Sequence, residues 1–136
     1  MKPGSTWNQP HDATVRVITR GLIKLGLLKG KEKELIKAEA YRDFYMHRAG
    51  HWLGLDVHDV GDYRVHGRWR QLEPGMALTI EPGIYIAADN TKVAKRWRGI
   101  GVRIEDDVVV TEQGCDVLTS DVPKRAEEIE ALMSKA

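Results

Sequence analysis

A chain of 136 residues has room for one domain, with a core that buries about two-thirds of the unfolded surface. With 21 Lys and Arg against 20 Asp and Glu, it lacks the basic excess of a dedicated nucleic-acid binder. Cys115 is the single cysteine, so an intrachain disulfide is excluded and a reducing, cytoplasmic compartment is expected.

The chain opens on Lys2-Pro3-Gly4, which is turn chemistry and lacks the apolar run of a signal peptide. Val15, Ile18, Leu22 and Leu25 then recur at helical spacing, which predicts a helix over 11–28. Asp12 is its expected N-cap and Gly26 or Gly30 its stop. Its apolar end, Gly21 to Leu28, is interrupted by Lys24 and falls far short of the roughly 20 residues that cross a membrane. No membrane partner is expected. Residues 31–39 form a second, polar helical patch that reads as a solvated face.

From Tyr41 the runs shorten and fill with aromatic and β-branched residues between Gly and Pro. Strands are predicted over 52–57, 76–81, 83–87, 100–105 and 108–111. Asp106-Asp107 and Gln113-Gly114 read as turns, so 103–111 is expected to form a tight antiparallel pair. Residues 62–71 and 88–98 read as long polar loops. Pro123 to Met133 closes the chain as a helix with Ile129, Leu132 and Met133 on one face. Helices followed by strands give an α+β fold, with a mostly antiparallel sheet and helices on one face.

The chemistry gathers between His47 and Glu105. On a regular strand His51 and His58 would face opposite ways, but a bulge at Gly54 could reset the register. Glu81 ends an apolar run just before Pro82-Gly83, so a rigid turn would fix its direction. Glu73-Pro74-Gly75 reads as an ordinary surface turn. Arg103 and Glu105 alternate with Val102 and Ile104 and so share a face. Each feature alone fits a solvated surface. Together, a histidine and two carboxylates suit Mn, Mg, Fe or Co, whereas a thiolate zinc site has no cysteines to build it. The sequence carries no nucleophile elbow, phosphate loop, dinucleotide glycine run or His-Glu-x-x-His. Hydrolysis by metal-activated water is the leading enzymatic reading.

Three blocks also carry a resemblance. These are Met46-His47 with His51-Trp52-Leu53-Gly54-Leu55-Asp56-Val57-His58-Asp59, then Leu72-Glu73-Pro74-Gly75-Met76 with Thr79-Ile80-Glu81-Pro82-Gly83-Ile84-Tyr85, then Arg98-Gly99-Ile100-Gly101-Val102-Arg103-Ile104-Glu105-Asp106. The chain resembles the C-terminal half of the catalytic domain of bacterial Xaa-Pro aminopeptidases, among the pita-bread dinuclear metallopeptidases. The resemblance implies that 1–136 form a partial catalytic domain, with the family's N-terminal domain and first catalytic half absent. It implies His51, Glu81 and Glu105 as metal ligands, Glu105 bridging two ions, His58 and His47 on the substrate side, and Arg103 beside the carboxylates. It implies manganese, with at most one ion well liganded here, because two further ligands of the family are aspartates and neither Asp12 nor Asp43 has their context. Peptides with proline at the second position are the implied substrates. A second copy of the chain or a complementary N-terminal half is the implied macromolecular partner. The alternative is an inactive truncated polypeptide or a non-catalytic binding module.

Overall fold

The computed structural model describes residues 1–134. Its first helix, α1 (Asn8–Lys24), buries Val15, Ile18 and Leu22, the face that the spacing predicts. The helix begins earlier than expected. Asp12 is not its N-cap but lies one turn into the helix, where Asn8 Nδ2 donates to Asp12 Oδ1 at 2.8 Å. Pro10 is tolerated there because the first-turn N–H groups have no intrahelical partner. The helix stops before Gly26, which takes the left-handed φ of +74° that ends helices well. The short α2 (Glu32–Lys37) is tied to α1 by the Arg20–Glu32 ion pair at 2.6 Å.

The α+β expectation holds, and all the strand pairs are antiparallel. A small hairpin of β1 (Arg64–Val65) and β2 (Arg68–Trp69) replaces the expected loop over 62–71. His66 and Gly67 sit at φ 49° and 76°, the double positive φ of a type I′ hairpin turn. β3 (Ala77–Ile80) pairs with β6 (Asp106–Val110), and β6 pairs with β7 (Cys115–Val117). β4 (Gly83–Tyr85) pairs with β5 (Gly101–Arg103).

The expected pair within 103–111 does not form. β5 and β6 run on from one another, and the turn lies at 111–114, where the Thr111 N–H donates to the Gly114 carbonyl at 3.1 Å. Asp106 and Asp107 read as a turn but start β6. Distant residues hold them there: the Thr119 hydroxyl donates to Asp106 Oδ1 at 2.7 Å and Lys124 Nζ lies 2.9 Å from the same oxygen. Burial pushes the Asp106 carboxyl up, but these contacts outweigh it and hold the group below its usual range.

The expected strand over 52–57 is also absent. Only Trp52 makes a bridge, to Leu78, before the chain turns. The closing helix α3 (Ala126–Met133) starts later than Pro123, and its apolar face is not buried, with Leu132 54% exposed. None of the residues of α3 is buried.

Two apolar clusters support the strands. One joins α1 to Tyr41, Phe44, Tyr45 and Ile86; the other joins Trp7, Trp52, Leu72, Leu78, Val108 and Val110. Residues 44–53 connect them by running antiparallel beside β3 and β4. Tyr85, Glu81 and Thr79 donate their N–H groups to the carbonyls of Phe44, Ala49 and His51 at 2.8, 2.7 and 3.0 Å.

His11, at the edge of the first cluster, gives the fold a pH dependence. The Tyr45 hydroxyl lies 3.5 Å from His11 Nδ1. Burial, helped by the positive charge of Arg48, lowers the His11 pKa from 6.5 to about 4. Between those values the unfolded chain holds a proton that the folded chain rejects. Stability therefore falls as pH drops from 6.5 toward 4 and levels off below. With the partial exposure of the ring allowed for, the loss is expected to be about 1–2 kcal/mol. Urea unfolding at a series of pH values checks this, and His11→Gln should flatten the curve across that window.

Candidate metal centre

Glu81 and Glu105 owe their positions to one long, interrupted pairing. Ile80 pairs with Asp106 on one side of the break, and Gly83 with Arg103 on the other. The register is the same on both sides, so Glu81 lies directly opposite Glu105. Pro82 offers no N–H to the ladder, which is why the pairing lapses there. The Ile104 N–H still reaches the Pro82 carbonyl at 3.2 Å and keeps the two strands together. Like charges directly opposite on paired strands are destabilising.

His51 approaches from the neighbouring segment. Its Nε2 lies 3.2 Å from Glu81 Oε1. Its Nδ1 lies 2.8 Å from the Trp52 carbonyl, which can only accept, so the ring proton sits on Nδ1. In the neutral ring, Nε2 then presents a lone pair toward the carboxylates. One ligand atom each from His51, Glu81 and Glu105 all lie within 4.8 Å of one another. An imidazole and two carboxylates this close together could hold a cation between them. A hard or borderline divalent ion fits this nitrogen-and-oxygen donor set.

The Trp52 carbonyl has a second task. It accepts the Asp59 N–H at 3.1 Å, closing residues 53–58 into a loop. That closure, rather than a bulge at Gly54, brings His58 back beside His51, with ring centroids 4.3 Å apart. Arg103 Nε lies 3.7 Å from Glu81 Oε2 on the outer side. His47 is not part of that cluster of three. Its Nδ1 meets the Arg48 carbonyl at 2.7 Å, and its Nε2 lies 2.9 Å from the Tyr85 hydroxyl.

Sequence reasoning gave no role to Thr79 or Tyr85. Tyr85 reaches His47 across thirty-eight residues of chain, a contact that no local pattern encodes. Thr79 did leave a signal: two residues before Glu81 on a strand, it had to share that residue's face.

Comparison with known proteins identifies the family. The model for Metallopeptidase family M24 matches residues 1–112. The chain therefore belongs to metallopeptidase family M24. The Xaa-Pro aminopeptidase of Escherichia coli K12 is 55% identical over 135 residues, which is 99% of this chain and 30% of that protein. The structure of Pseudomonas aeruginosa aminopeptidase PepP matches with a TM-score of 0.97 at 72% identity, covering 99% of this chain and 30% of that one. A zinc-substituted E. coli aminopeptidase P in complex with product matches with a TM-score of 0.91 at 54% identity, over 98% of this chain and 30% of that one. The chain thus spans about 30% of the length of these relatives. Among the described residues, no helix is long and apolar enough to cross a membrane.

Proposed function

We propose that this chain carries part of the active centre of a metal-dependent aminopeptidase that removes the residue preceding a proline. The observation that carries the reading is the convergence of His51, Glu81 and Glu105 on one point, in a chain 55% identical to an Xaa-Pro aminopeptidase. His51, Glu81 and Glu105 would hold an ion, and Glu105 would be the ligand shared with a second one. Manganese suits this carboxylate-rich set, and zinc is accommodated by the same donors. A divalent ion held there supplies a Lewis acid that polarises the scissile carbonyl and lowers the pKa of water.

The remaining residues act around that centre. His58, beside His51, donates a hydrogen bond to the substrate carbonyl oxygen as it gains negative charge. His47 holds the Tyr85 hydroxyl and lines the substrate side with it. Arg103 supports the carboxylates from solvent, beside the Glu81 oxygen that His51 does not face, and its exposure keeps that attraction weak. Peptides with proline at the second position are the substrates, and the cytoplasm, where Cys115 stays reduced, is the compartment.

A second reading follows from the ligand count. Among the described residues the cluster has one imidazole and two carboxylates, fewer donors than a two-ion centre uses. On that reading the chain binds one ion without turning over substrate. One experiment separates the two: the purified chain is loaded with manganese and offered an Xaa-Pro-Xaa tripeptide. Release of the first residue above a chelator-treated control supports the aminopeptidase. Metal uptake without release, in a cooperatively folded sample, supports the non-catalytic reading.

A further inference from the structure

Thr79 sits in β3 with 1% of its surface exposed, and its hydroxyl is engaged on both sides. It accepts the backbone N–H of His51 at 3.1 Å and donates to Glu81 Oε1, also at 3.1 Å. A hydroxyl has one hydrogen to give. Spent on the carboxylate, it leaves only lone pairs for His51, so the direction of both bonds is fixed.

The placement follows from the strand. Thr79 and Glu81 are two residues apart and so share a face. The Thr79 N–H already binds the His51 carbonyl at 3.0 Å, which places His51 alongside. The His51 N–H goes to the side chain of Thr79. One residue therefore secures His51 through its backbone in both directions and Glu81 through its carboxylate. The oxygen of Glu81 that Thr79 holds is the same one that faces His51 Nε2 at 3.2 Å.

We propose that Thr79 is a positioning residue of the metal centre: its hydroxyl links His51 to Glu81 and holds both at ligating distance before an ion binds. This rests on the metal-binding reading of His51, Glu81 and Glu105. Groups that orient metal ligands typically contribute about 10–100-fold to metal affinity. A purely structural role would satisfy the His51 N–H and affect stability alone.

Manganese titration calorimetry on the chain and on Thr79→Val and Thr79→Ser, with thermal melts of each in the metal-free form, tests the proposal. Thr79→Val should bind manganese about 10–100-fold more weakly, and Thr79→Ser, which keeps the hydroxyl, should bind within about threefold of the parent. If the valine variant does not melt cooperatively, Thr79→Ala takes its place. Parent-like affinity in a folded variant without the hydroxyl would overturn the role of Thr79 while leaving the metal centre intact. Absence of manganese binding in the folded parent would overturn both.

Discussion

Glu81→Gln is expected to cut manganese affinity about 100-fold or more, because it removes a direct ligand where loss of an outer partner already costs about 10–100-fold. The metal-free protein should respond in the opposite sense. Glu81 lies across the strand pair from Glu105, and relieving that repulsion is worth up to about 1 kcal/mol. Arg103 offsets little of it, since it approaches from solvent at 3.7 Å with its side chain 53% exposed. The melting temperature without metal should therefore hold or rise while metal binding is lost. Titration calorimetry and paired melts measure both. A parallel loss of metal-free stability would make Glu81 a structural residue.

Gly50→Ala is expected to damage fold and site together. Gly50 lies between Ala49 and His51 in the segment that runs beside β3, and an added Cβ would press into the backbone carbonyl of Thr79. A backbone atom cannot swing aside as a flexible side chain can. The segment would have to move away from β3, straining the bonds from Glu81 to Ala49 and from Thr79 to His51. Overpacking of this kind typically costs about 1–3 kcal/mol, and each weakened hydrogen bond adds about 1 kcal/mol. His51 would shift from Glu81 with its backbone. Urea unfolding should show the loss of stability, and manganese affinity should fall in the fraction that remains folded. An alanine variant with parent-like stability and affinity would mean that the contact between this segment and β3 is looser than described.

Where local pattern and final contacts agree, the sequence was readable. Val15, Ile18 and Leu22 face inward as their spacing requires. Glu81 directly follows β3 before Pro82, and Arg103 and Glu105 both lie close to it. Reading failed where a distant residue decides the local form. Asp106-Asp107 has turn composition, but Thr119 and Lys124 hold Asp106 in a strand from a dozen or more residues away. His58 meets His51 because one carbonyl, that of Trp52, binds both the His51 ring and the Asp59 N–H. Backbone oxygens carry no letter in a sequence. The opposition of Glu81 and Glu105 is a matter of strand register across the 86–100 connection, which spacing alone does not fix. In α3 the helix was read correctly from its apolar spacing, but the period does not say whether that face is buried, and it is not.

On the reading proposed above, His51, Glu81 and Glu105 form one divalent-metal site. Anomalous diffraction from crystals of the manganese-loaded chain tests it most directly. A manganese peak is expected within coordination distance of His51 Nε2 and of one oxygen each of Glu81 and Glu105. A peak on other residues, or an ordered His51–Glu81–Glu105 cluster without one in a fully loaded crystal, would contradict it.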